Sequence, residues 1–94
     1  MIEGMAVRQI GNIKDTLSTH FKEIKEKYHV RELGILDFQE DTLEIMVDFE
    51  HPVSFFEFFE LEDFLTALLG IRVELATKDV LKEDELKKVI TLVG

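Results

Sequence analysis

Residues 42–50 read Thr-Leu-Glu-Ile-Met-Val-Asp-Phe-Glu, so carboxylates at Glu44, Asp48 and Glu50 recur among apolar side chains. Carboxylate oxygens are ligands for hard divalent cations, and such cations stabilise the charge that develops when a phosphoryl group moves. Other side-chain chemistries are missing. The chain has no cysteine, which removes disulfides, thiolate metal sites and thiol nucleophiles together. His20, His29 and His51 are scattered, and neither a His-x-x-His nor a His-Glu-x-x-His pattern occurs. These histidines are expected in structural or solvent-facing roles.

The elements that must position the acids follow from periodicity. Val7, Ile10, Ile13, Leu17, Phe21, Ile24 and Tyr28 recur at intervals of three or four, which predicts a long first helix with one buried stripe. Gly11 and the Thr16, Ser18, Thr19 cluster lower its propensity, so the helix depends on tertiary packing. His29 marks its end, and residues 1–5 are expected to fray. Strands are predicted over residues 30–36 and 42–49, and the intervening Asp37-Phe38-Gln39-Glu40-Asp41 is short enough for an antiparallel hairpin. Ser54 followed by Phe55, Phe56 and Glu57 fits a capping box, with Pro52 discouraging an earlier helix start. The helix runs through Leu69 and stops at Gly70, a residue free to take the left-handed conformation of a cap. A strand over residues 71–77 and a short amphipathic helix carrying Leu81, Leu86, Val89 and Ile90 complete the chain. Strand, helix, strand implies a crossover between parallel partners. The expected architecture is α/β (α+β): a small mixed three-stranded sheet, a hairpin plus a βαβ unit, packed with about three helices.

Composition narrows the function classes. A chain of 94 residues with 46% hydrophobic and 33% charged side chains is expected to fold as one domain over residues 1–94. Any active site in it has to be shallow or shared with a partner. A net charge of -9 argues against nucleic acid as partner, because phosphate-backbone affinity rests on clustered Lys and Arg. No apolar run approaches the roughly 20 residues that cross a bilayer, and no signal-peptide pattern is present, so a cytoplasmic location is expected. One proline and few glycines leave no linker.

The runs Val47-Asp48-Phe49-Glu50, Ser54-Phe55-Phe56-Glu57, Leu68-Leu69-Gly70 and Arg72-Val73-Glu74-Leu75-Ala76-Thr77 together resemble the minimal nucleotidyltransferase family of the DNA polymerase beta type. The resemblance covers about residues 30–90, with the first helix in the expected place. It implies a Gly-Ser motif at the end of the first strand, an Asp-x-Asp pair opening the second, and a third acid on the strand after the helix. In that family these groups hold two magnesium ions and a nucleoside triphosphate. Carried onto this chain, the pair falls on Thr42 and Glu44 and the third acid on Glu74. Thr42 offers a neutral hydroxyl in place of a carboxylate. Leu36-Asp37-Phe38-Gln39 stands where the Gly-Ser turn is implied, and neither Asp37 nor Phe38 allows the close backbone approach to an anionic phosphate that Gly-Ser provides. The resemblance is therefore to a degenerate member, in which Thr42, Glu44 and Glu74 are vestigial positions and no cofactor is expected. A one-residue slip would offer Asp41, Glu44 and Glu74 as a magnesium set, although alternation along a strand points Asp41 and Glu44 to opposite faces unless the strand end is bent.

Five phenylalanines, Phe55, Phe56, Phe58, Phe59 and Phe64, crowd the second helix. A short helix turns only part of its circumference to one core, so some of them are expected at the surface. Two readings stand side by side: a core rich in aromatics, or a partner-binding face at Phe55, Phe56 and Phe59. The resemblance implies either a homodimer or a HEPN-domain protein as partner, in an antitoxin-like role. The leading expectation is a noncatalytic interaction module. The alternative is a magnesium-dependent transfer of a nucleotide from ATP to a protein partner.

Overall fold

A computed structural model describes residues 2–94, with side chains described from Ile10 onward. Helix α1 (Ile2–Tyr28) buries Ile13, Leu17, Ile24 and Tyr28, the stripe that the spacing predicts. It starts at Ile2, so helix replaces the frayed lead-in expected over residues 2–5, where Glu3, Met5 and Ala6 favour helix against the single Gly4; Met1 lies outside the described residues. His29 then takes φ 58, a left-handed conformation that ends the helix and turns the chain into the sheet. Its carbonyl accepts from the Glu50 amide at 2.8 Å, which ties the start of the first strand to the end of the second.

Strands β1 (Val30–Phe38) and β2 (Thr42–Phe49) form the antiparallel hairpin. Helix α2 (Phe55–Leu69) crosses to strand β3 (Arg72–Thr77), which pairs parallel to β2 as the strand-helix-strand order requires. At the start of α2 the Ser54 hydroxyl accepts from the Glu57 amide at 3.2 Å. Only half of the expected box forms, because the Glu57 carboxylate accepts a hydrogen bond from the Ser54 hydroxyl at 3.3 Å instead of from the Ser54 amide. Gly70 closes the helix at φ 68.

The chain then differs from expectation. After a short 3-10 turn at Lys78–Val80, helix α3 is confined to Glu83–Lys88, and a fourth strand, β4 (Ile90–Val93), pairs antiparallel with β1. The sheet has four strands in the order β3-β2-β1-β4, not three. Val89 and Ile90 keep helical spacing with Leu86, yet Ile90-Thr91-Leu92-Val93 is rich in β-branched residues and meets the free edge of β1, where Leu92 and Val93 become buried.

One face of the sheet carries Leu33, Ile35, Leu43, Ile45, Val47 and Val73 into the core against α1 and α2. The other face is crossed by the segment from β3 to β4. Gly34 marks the crossing: a Cβ there would collide with Val89 Cγ1 and lie 3.1 Å from the Ile90 carbonyl oxygen, with Met46 Cε beyond at 3.5 Å. This close approach explains why Met46, on the second face, is only 1% exposed. A bridge from Lys78 Nζ to Glu32 Oε1 at 3.4 Å fastens the same crossing.

Candidate functional site

At the hairpin end, β1 and β2 are joined by a tight turn in which the Gln39 amide donates to the Thr42 carbonyl at 2.8 Å. Pairing runs Phe38 with Leu43 and Asp37 with Glu44, after an irregularity at Leu36 that restores the alternation. Leu43 and Phe38 therefore face the core, while Asp37 and Glu44 face the other side. Glu44 is in turn the register partner of Glu74 on β3. The result is a row of three carboxylates, Asp37, Glu44 and Glu74, across three neighbouring strands. Glu44 and Glu74 share a face as the strand periodicity requires; Asp37 as their companion follows only from the bulged register. The signal that could have found it is the shortness of the turn, which fixes the hairpin pairing once the slip at Leu36 is allowed.

The remaining groups at this end are already engaged. The Asp37 carboxylate accepts from the Phe38 amide at 2.8 Å and from Gln39 Nε2 at 3.3 Å, so it caps its own turn. Thr42, 9% exposed, donates its hydroxyl to Asp41 Oδ1 at 3.2 Å. Arg72 approaches Glu74 at 3.9 Å across exposed surface. Among the described residues, no three His, Asp or Glu side chains come together as a metal ion would need, and Asp41, Glu44 and Glu74 are not such a group. The position of the implied Gly-Ser turn holds Asp37 and a Phe38 whose ring packs against the core. A donor set whose Thr42 hydroxyl is already given to Asp41, whose Asp37 carboxylate is spent on its own turn, and which has no phosphate-facing glycine does not fit two magnesium ions and a triphosphate.

The opposite end of the sheet is built differently. A cavity of about 720 Å³ opens beyond the carboxyl ends of β2 and β3, walled by Phe55, Phe58, Leu75 and Val80, with Glu50 and Asp79 at its exposed margin. Its two cations are paired, Arg31 with Asp48 at 3.6 Å and Lys78 with Glu32 at 3.4 Å. Beside it the amino-terminal half of α2 leaves Phe55, Phe56 and Phe59 at 83%, 78% and 54% exposure, whereas Phe58 and Phe64 pack on the core. The His29 and His51 rings lie 4.6 Å apart near this end, and the described residues give them no acidic companions to make a metal site. His20 sits on α1 near Glu23, at 3.9 Å.

Charge is also unevenly spread along the chain. All 11 Lys and Arg lie outside residues 32–71, a stretch that carries eleven Asp and Glu, so more than the whole net charge of -9 resides there. That stretch contains the hairpin from Glu32 onward and all of α2.

A hairpin and a βαβ unit on one mixed sheet, backed by a long helix, define a small nucleotidyltransferase-like fold. The chain is 40% identical to the protein adenylyltransferase MntA of Thermococcus cleftensis over 92% of this chain and 94% of that protein. It is 37% and 35% identical to two putative protein adenylyltransferases of Methanocaldococcus jannaschii, each alignment covering 89% of this chain and 93% of the relative. The chain therefore belongs to the minimal nucleotidyltransferase family. No protein-family model matches it, and no solved structure matches significantly. No helix among the described residues is long and apolar enough to cross a membrane.

Proposed function

We propose that this chain is a noncatalytic member of the minimal nucleotidyltransferase family that works by binding a partner protein. The observation that carries the reading is the tight turn joining β1 to β2, which leaves Asp37 and Phe38 at the position of the implied phosphate cradle. Backbone amides that would face a phosphate need a glycine there, and the Asp37 carboxylate repels one. The partner in this reading is a HEPN-type protein, on the resemblance of the family. Self-association takes second place, because two copies would bring their acid-rich 32–71 stretches to a common assembly.

The names of the relatives favour a second reading, transfer of an adenylyl group to a protein. In that case Asp41, Glu44 and Glu74 would hold magnesium and another chain would supply the missing contacts to ATP. One experiment decides between them. The protein is incubated with labelled ATP and magnesium, with and without a HEPN-type partner, and no label is expected on either protein. Label that appears and is abolished by Glu44→Gln would overturn the noncatalytic reading. Size-exclusion chromatography with light scattering should show a heterocomplex with the partner; a monomer indifferent to it counts against the binding reading.

A further inference from the structure

The surface at the far end of the sheet combines three features that point to one kind of ligand. The outward face of α2 presents Phe56 and Phe59 together with the exposed acids Glu60 and Asp63, one turn apart on the same side. Phe55 links that face to the cavity, whose walls are apolar and whose exposed margin is acidic at Glu50 and Asp79. No Lys or Arg lies on α2, and the cations beside the cavity are already matched by Asp48 and Glu32. An occupant must therefore bring both apolar bulk and positive charge.

We propose that this surface docks a cationic amphipathic segment of another protein, with an apolar side chain entering the cavity between Phe55, Phe58 and Val80 and Lys or Arg residues meeting Glu50, Glu60, Asp63 and Asp79. The proposal rests on the reading that the chain works by binding, and it names the place and the chemistry of the partner. A second copy of the chain is a poor occupant. Of its lysine-bearing helices, α1 already buries Ile13, Leu17, Ile24 and Tyr28 in its own core, and α3 sets Glu83, Asp84 and Glu85 against Lys87 and Lys88, so neither offers a cationic amphipathic face. Large exposed aromatics beside an apolar-walled cavity are the arrangement in which a few side chains can carry most of the binding energy once a partner covers them.

The test uses a fluorescently labelled Leu/Lys peptide of roughly 18 residues, patterned as an amphipathic helix, and a Leu/Glu peptide of the same pattern. Binding is measured by anisotropy at about 0.15 M salt, where exposed charges are screened beyond roughly 8 Å. The Leu/Lys peptide should bind, and Phe55→Ser with Phe59→Ser should weaken it at least about tenfold, while Ile90→Thr on the β4 edge leaves it unchanged. Glu60→Lys with Asp63→Lys keeps every aromatic and should transfer preference to the Leu/Glu peptide, so the idea stays testable even if the serine variant folds poorly. Sedimentation of the protein alone should give a monomer. Equal binding of both peptides, no binding, or undiminished Leu/Lys binding to a folded serine variant would overturn the proposal. So would a dimer that the serine variant dissociates, since the face would then belong to a second copy. A heterocomplex with a HEPN-type partner that survives those same substitutions would sink this surface and leave the binding reading standing.

Discussion

At the hairpin end of the sheet, Asp37, Glu44 and Glu74 stand in one row, and the neighbouring polar groups satisfy one another within a tight turn. At the other end the chain leaves a cavity of about 720 Å³ and three phenylalanines in solvent. A phosphate-handling site needs unspent donors and spare backbone amides; the hairpin end has closed on itself. A protein-binding site needs apolar surface that the fold does not consume, and the far end has it. The same small sheet thus separates an end whose polar groups are used up from an end whose apolar groups are not.

That contrast depends on the middle of the second face being sealed, and the seal rests on Gly34. Gly34→Ala should produce the largest effect, a loss of about 1–3 kcal/mol, because the new methyl group collides with Val89 and crowds the Ile90 carbonyl. Urea denaturation should register the loss, and the amides of β4 should exchange faster as the strand is pushed from β1. An unchanged midpoint would mean that β4 and Val89 do not cross as described. The two ends would then communicate over an open face.

Much of this arrangement was legible in the sequence. The stripe from Ile10 to Tyr28, the alternation from Leu43 to Phe49 and the Ser54 and Gly70 boundaries of α2 each reflect local physics, and each element stands where that physics puts it. Strand β4 was hidden because Leu86, Val89 and Ile90 satisfy a helical period, and only the vacant edge of β1 decides otherwise. Asp37 was hidden for a related reason: its place beside Glu44 comes from the irregularity at Leu36, which has no signature in residue type. The crowding of phenylalanines on α2 was visible, and the three named for a surface face, Phe55, Phe56 and Phe59, are the ones left exposed, because Leu61 and Leu65 fix the side of the helix that turns to the core. A device the sequence did not suggest guards the sheet edge: the Val73 amide donates to Thr66 Oγ1 at 3.1 Å and the Leu75 amide to Glu62 Oε2 at 3.0 Å, so α2 caps donors of the edge strand β3.

An intermediate effect is expected at the far end. Ser54→Ala removes the acceptor of the Glu57 amide and should cost about 1 kcal/mol in thermal or urea melts. Since Phe55 and Phe56 occupy the first turn of α2, fraying of that turn should also weaken the Leu/Lys peptide. Stability that drops while peptide affinity holds would place the anchoring aromatics further along the helix, at Phe59, and shrink the docking surface accordingly.

The smallest effect is the most discriminating. Glu44 lies between Asp37 and Glu74 in the register, and like charges directly opposite on neighbouring strands destabilise a sheet. Glu44→Gln removes the central charge at nearly constant shape, so it should stabilise the protein by about 0.2–1 kcal/mol, more at low salt than at high salt, where exposed charges are screened. A carboxylate kept for metal chemistry predicts the reverse in the presence of the metal: magnesium would raise the melting temperature of the unaltered protein and the substitution would abolish that rise, by the linkage between binding and stability. Melting both proteins with and without magnesium therefore separates an idle row of repelling acids from a working one. Stabilisation by Glu44→Gln with no response to magnesium is the outcome that the closed hairpin end requires.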